Sequence, residues 1–370
     1  MKYLKYLQTT NDFESFKNSE NYILPNVSYV VETKGVSFEP YVNLLTVNYL
    51  TIEALEDGLT ASLSDNSCEY CVDGDGNWKT LAANTATESI NTGQTLSFRG
   101  NLTPNASNGI GTFTINKKCN LKGNCMSMLF GDNAADNYSL EGKDYAFYRL
   151  FYYCSNIVNI SENFLPATTL ALECYSWMFI GCASLTTTPK LPATTLENKC
   201  YQNMFSQCTS LTTAPELPAT IVPYRCYFSM FSGCKSLTQA PELPATIIGG
   251  LCYNGMFQNC TSLTVAPELP ATTLADYCYE YMFGGCTSLT TAPELPARVL
   301  DTGCYRNMFD GCSKLNYIKM LATYIGAPVA LTSWVDGVAS TGTFVKNSAM
   351  TTLPTGTSGI PSGWTVEDAA

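Results

Sequence analysis

The stretch Cys200-Tyr201-Gln202-Asn203-Met204-Phe205-Ser206-Gln207-Cys208-Thr209-Ser210-Leu211-Thr212-Thr213-Ala214-Pro215-Glu216-Leu217-Pro218-Ala219-Thr220 decides the architecture. It recurs six times with small changes. The cysteine pairs Cys174/Cys182, Cys200/Cys208, Cys226/Cys234, Cys252/Cys260, Cys278/Cys286 and Cys304/Cys312 each start 26 residues after the one before. A strict period in this range means stacked repeats, each unable to bury its apolar face alone. Within the quoted unit Cys200, Tyr201, Met204, Phe205 and Cys208 fall at i, i+1, i+4, i+5 and i+8. That spacing predicts one apolar face of a helix of about two turns. Pro215 and Pro218 limit any strand in the rest of the unit to a few residues, because proline cannot donate to a ladder. The expected fold is a mixed α/β repeat solenoid of 26-residue units, each a short strand, a proline-punctuated turn and a short helix.

Two degenerate units precede the regular six. Cys125, Leu129, Phe130 and Asn133 keep the frame, as do Ala146, Leu150, Phe151 and Cys154. Irregular end units are what a capped solenoid requires. At the other end Tyr317-Ile318-Lys319-Met320 replaces the usual Thr-x-x-Pro-Glu-Leu, which predicts that the array stops there. On this reading the repeat cysteines are one packing position counted many times. Eight residues of helix separate the two in a unit by about 12 Å. Cysteines stacked between helices would sit about 10 Å apart. Both distances exceed the reach of a disulfide. Buried thiols acting as small apolar fillers are one reading; a thiol ladder with metal or redox chemistry is the other.

Positions that vary between units mark a candidate recognition surface: Trp177, Gln202, Asn203, Phe228, Asn254, Glu280, Tyr281 and Arg306. Neutral drift on an exposed face explains the same variation. Lys190, Glu216, Glu242, Glu268 and Glu294 follow the same proline in successive units and would stack as a mostly acidic stripe. Such a stripe suits cations or basic groups, and equally a row of solvated charges.

Composition bounds the function classes. The chain has 370 residues, 45% hydrophobic, and a net charge of −11, and no long basic run, so nucleic acid is not an expected partner. Histidine is absent. That removes imidazole acid–base work, Ser-His and Cys-His pairs and His metal ligands. No phosphate loop, nucleophile elbow or metal constellation stands out, so neither catalysis nor a cofactor is expected. No apolar run is long enough to span a membrane, and the first twelve residues lack the apolar core of a secretory signal. Leu353-Pro354-Thr355-Gly356-Thr357 has the wrong order for a sorting signal. There is no heptad pattern, so any homo-oligomer, such as a trimer, would rest on β contacts rather than a coiled coil.

Outside the repeats, residues 42–120 read as short strands with turn punctuation, expected to form a small Ig-like β-sandwich. Asp73-Gly74-Asp75-Gly76-Asn77 reads as a hairpin turn. It also has the start of a calcium loop, but Trp78 stands where such a loop needs glycine and Asn84 where it needs glutamate. Cys68-Glu69-Tyr70-Cys71 is a lone C-x-x-C, a weak zinc signal. Residues 1–41 are expected to be a docking segment that adds strands to a partner, or else a first hairpin of the sandwich. Residues 323–370 are expected to cap the solenoid's open end.

The unit, with its Met-Phe-x-x-Cys-x-Ser-Leu core, resembles the BspA-like (Treponema pallidum-type) leucine-rich repeats over roughly 200 residues, about 121 to 322. That resemblance implies a leucine-rich-repeat-like solenoid on a bacterial or parasite surface that adheres and binds. The extra Pro-Glu-Leu-Pro segment and second cysteine depart from the family's unit. The stretch Asn21-Tyr22-Ile23-Leu24-Pro25-Asn26-Val27-Ser28-Tyr29-Val30 resembles the N-termini of structural proteins of phages of gut Bacteroidales, including crAss-like phages. The tail from 323 resembles terminal modules of Bacteroidales proteins. These resemblances imply a virion fibre or decoration protein. Residues 1–41 would join other virion proteins, and the solenoid would contact a host-surface glycan or protein. The alternative is a bacterial cell-surface adhesin.

Overall fold

The computed structural model describes residues 48–327 and 329–369. The expected docking segment 1–41 lies outside the described residues.

Residues 48–126 are all-β. Strands β1 (Leu50–Ala54), β3 (Cys68–Val72), β4 (Lys79–Leu81), β5 (Thr95–Arg99), β7 (Cys119–Lys122) and β8 (Ile157–Ile160) form one sheet in the order β4-β3-β5-β1-β7-β8. Strands β2 (Ala61–Leu63) and β6 (Phe113–Ile115) form a second, two-stranded antiparallel sheet. The two sheets are therefore very unequal in size. In β1 the burial alternates with the pleat: Leu50, Ile52 and Ala54 point inward. The expected hairpin is present, since β3 and β4 pair antiparallel across residues 73–78.

Every pairing in the large sheet is antiparallel except the last, β7 with β8. There the sheet passes into a parallel stack. Cys119 donates its N–H to Asn156, Ser161 donates to Leu121, and Thr186 donates to Val158. The first repeat turns are thus paired to the β unit, which leaves no free edge between them.

The expected two-turn helix is corrected by the structure. Among the described residues the only helices are α1 (Ser127–Phe130) and a 3-10 turn at Gly131–Asp136, both in the first degenerate unit. The regular units form a mainly β solenoid of hydrogen-bonded turns instead. Between Cys174 and Cys182 alternate N–H groups have different destinations. Cys174, Ser176, Met178 and Cys182 donate to the carbonyl three residues back. Tyr175, Trp177, Phe179 and Gly181 donate to Cys200, Gln202, Met204 and Ser206 of the next unit. A helix would use all of these donors internally; here half of them join neighbouring units.

Every fourth residue along this segment is left-handed. Glu173, Trp177 and Gly181 have φ of 51°, 61° and 72°, and Lys199, Asn203 and Gln207 repeat the pattern at 56°, 54° and 62°. The apolar spacing i, i+1, i+4, i+5, i+8 is therefore a four-residue period rather than a 3.6-residue one. Elsewhere in the unit the strands are as short as the prolines require. β9 (Ile221–Val222) and β10 (Ile247–Ile248) pair in parallel, as do β11 (Val299–Leu300) and β13 (Tyr324–Ile325).

Stacking lines up identical side chains. Phe151, Phe179, Phe205, Phe231, Phe257, Phe283 and Phe309 form a column with ring centres 5.5–5.8 Å apart. A second column runs from Phe147 and Tyr175 to Tyr305. Both end on Trp334, whose ring centre lies 6.1 Å from Phe309 and 6.4 Å from Tyr305.

The stacking also outlasts the sequence regularity that broke at Tyr317. Tyr305, Asn307, Phe309 and Gly311 donate to Ala330, Thr332, Trp334 and Asp336. Strands β12 (Tyr317–Met320), β14 (Thr343–Lys346) and β15 (Thr365–Asp368) continue in parallel register.

Candidate binding face of the solenoid

All seventeen cysteines are buried free thiols. The 10 Å separation expected between stacked cysteines is overturned, because turns joined by backbone hydrogen bonds lie about 4.8 Å apart. The Sγ atoms of Cys200 and Cys226 are 3.0 Å apart. The two cysteines of a unit differ in surroundings. Cys182, Cys208, Cys234, Cys260, Cys286 and Cys312 each donate to the carbonyl of a phenylalanine in the unit before, at 3.0–3.3 Å. Burial holds the thiol pKa of Cys260 and Cys312 up at about 12, the opposite of a reactive cysteine. Among the described residues no group of three or more His, Cys, Asp or Glu could hold a metal ion.

Two other candidates are tied up internally. The Asp73 carboxylate accepts from the Thr95 N–H and Gln94 Nε2, both at 2.8 Å, and Asp75 accepts from the N–H of Asn77. Cys68 and Cys71 lie three residues apart on β3, so their side chains leave opposite faces of the sheet.

The acidic stripe is exposed at Glu216, Glu242, Glu268 and Glu294. Both of its ends are neutralised: Lys190 pairs with Glu162, and Lys319 pairs with Glu294.

The variable columns are not uniformly exposed. Asn203 and Asn254 are buried, at 7% and 8% exposure. Asn254 donates to Glu280 at 2.7 Å, and Arg306 Nε lies 3.6 Å from the same carboxylate. These three residues link successive units. Burial pushes the Glu280 pKa up, against the opposing pull of Arg306 and Asn254. Glu173 and Lys199 form a similar link at 2.7 Å. Tyr281 and Gln202 are partly buried, and Gln202 Oε1 has no hydrogen-bond partner. Phe228 lies under the guanidinium of Arg225, 4.6 Å from ring centre to Cζ.

Trp177 belongs to a cluster that the variable-position reading missed. It sits beside Arg149 and Tyr152 of the preceding degenerate unit. The unit from Tyr145 to Cys154 contributes Tyr145, Tyr148, Arg149, Tyr152 and Tyr153. The signal was present in the sequence as four tyrosines and an arginine within nine residues, but the unit's irregular spacing hid its alignment with the others.

No protein family, curated protein or solved structure matches the chain.

Proposed function

We propose that this chain is a non-enzymatic binding protein in which the solenoid is a rigid framework that displays variable side chains. The observation that carries this reading is the division within each unit. The cysteine, tyrosine, methionine and phenylalanine columns are buried and almost unchanged from unit to unit. The positions between them change freely, and some of them, Trp177, Phe228 and Tyr281 among them, are at least partly accessible. A constant scaffold with changing loop-borne side chains is how rigid folds carry recognition.

The N-terminal resemblance at 21–30 supports placing the protein on a phage particle, joined to other virion proteins through 1–41 and turned toward a host-surface glycan or protein. The repeat resemblance favours the second reading, a bacterial surface adhesin. Immunogold electron microscopy of a producing culture, with an antibody to the full chain, separates them. Gold on phage capsids or tails is the expected result. Gold on cell envelopes with bare particles would sink the virion reading and leave the adhesin.

A further inference from the structure

We propose that Arg149 and the aromatic rings around it form a subsite for an acidic sugar, a pyranose unit that carries a carboxylate. This deepens the reading of the solenoid as a binding surface and rests on it.

The Arg149 guanidinium carbon lies 4.9 Å from the ring centre of Tyr148, 5.0 Å from Tyr152 and 5.5 Å from Trp177. Tyr153, half exposed, packs edge-on against Tyr152 at 4.7 Å. The cation has no carboxylate of its own among the described residues. The nearby Glu173 is paired with Lys199 at 2.7 Å. Arg149 Nε is buried and has no hydrogen-bond partner. Among the described residues Arg225 is likewise without a carboxylate and its Nε is also unpartnered, but it lies over two rings, Tyr224 and Phe228, where Arg149 lies over three.

Tyr153 packs on Gly181 and donates to Gln207 Oε1 at 3.3 Å, but the alignment between units is set elsewhere. The stacking of Phe147 on Tyr175 and of Phe151 on Phe179 sets the alignment between units. In that alignment, two units on, Gln202, Asn203 and Ser206 take the columns of Tyr148, Arg149 and Tyr152. The core beneath them is unchanged. Among the described residues, a set of three rings about one guanidinium therefore occurs at one place on the stack.

The chemistry selects the ligand class. A guanidinium presents a planar fork of donors that matches a carboxylate in two parallel hydrogen bonds. Flanking rings offer apolar faces to the C–H face of a pyranose, and their phenol oxygens can bond its hydroxyls. One cation suits one carboxylate, whereas a polyanion such as nucleic acid needs many.

The test is isothermal titration calorimetry of the full chain with trigalacturonate and with sialyllactose. Their neutral counterparts, the methyl-esterified trisaccharide and lactose, are run in parallel. At least one acid should bind, and its neutral counterpart should bind about tenfold more weakly or not at all. Arg149→Gln should lose about tenfold in affinity with an unchanged circular dichroism spectrum, and Arg298→Gln, an exposed arginine that donates to the Leu321 carbonyl, should not. Equal binding of acid and neutral sugar, no binding of either acid, or full affinity in Arg149→Gln would each overturn the proposal. The acid-versus-neutral comparison uses the wild-type chain, so it holds even if the variant misfolds. Labelled full chain on host cells separates the two readings. If Arg149→Gln stains cells as well as wild type, the acidic-sugar subsite fails while the binding function stands. If wild type binds the acid but stains no cells, the cell-surface reading is the one that fails.

Discussion

Cys200 and Cys208 belong to the same unit and are equally buried, yet their environments predict different responses to the same change. Cys208 donates to the Phe179 carbonyl at 3.2 Å, while the Cys200 thiol is hydrogen-bonded to the thiol of Cys226 rather than to a carbonyl. Cys208→Ser keeps a donor on an existing acceptor and should cost under about 1 kcal/mol. Cys200→Ser puts a buried hydroxyl against a thiol, a weak acceptor, and should cost about 1–3 kcal/mol. Urea unfolding of the two variants measures the difference, and equal losses would contradict the assignment. The left-handed positions offer a second test at this scale. Leu251 has φ of 57° and Gly255 has φ of 60°. A side chain in that region costs about 1–2 kcal/mol. Leu251→Gly should therefore raise the melting temperature or leave it unchanged, and Gly255→Val should lower it.

Trp334 is the terminator of both aromatic columns. Its indole covers Phe309 and Tyr305 together, and its Nε1 donates to Gly359 at 2.8 Å. Trp364 makes the equivalent bond to Ala339 at 2.7 Å. The last strand, β15, is exposed throughout and carries Glu367 and Asp368, charges that discourage pairing with another chain. In a stack where each turn contacts only its neighbours, damage at an end should spread inward from that end. Trp334→Ala should cost about 3–5 kcal/mol. In hydrogen exchange it should remove protection from Thr343–Lys346 and Thr365–Asp368 first, leaving Tyr201–Gln207 protected. Uniform loss along the chain would show that the units fold as one block.

Buried acids of high pKa are distributed along the whole stack, which makes alkali the stress that tests the entire molecule. Burial raises the thiols of Cys154, Cys260, Cys304 and Cys312 to about 12. It also raises the phenols of Tyr175, Tyr201, Tyr227, Tyr253, Tyr279 and Tyr305 well above 10. The folded chain keeps protons that the unfolded chain releases from about pH 9 upward, where an ordinary thiol titrates. The contribution of these groups to stability is therefore fully present below about pH 9 and is lost as pH rises toward 12. With this many groups acting together the loss should be steep. Ionisation of the six column phenols should coincide with the loss of far-ultraviolet circular dichroism, after the exposed tyrosines such as Tyr138, Tyr153 and Tyr324 have been accounted for. Ionisation of the six column phenols in a chain that keeps its dichroism would show that the column is open to solvent.

The repeat and its period, the buried columns and the short proline-limited strands were legible in the residues from 174 to 312, because identical units must place identical side chains alike. The helix expected over Cys200–Cys208 was not, since over nine residues an apolar period of four differs little from one of 3.6. Only stacking chose between them. A neighbouring turn accepts half of the N–H groups, and those hydrogen bonds hold every fourth residue left-handed. The 3.0 Å approach of Cys200 and Cys226 follows from the same stacking. So does the meeting of Arg149 with Trp177, which are 28 residues apart in the chain and belong to units of different regularity. The local pattern of residues determined that the chain repeats and which side chains turn inward. The conformation of each unit depended on hydrogen bonds to its neighbours, which no single unit can form.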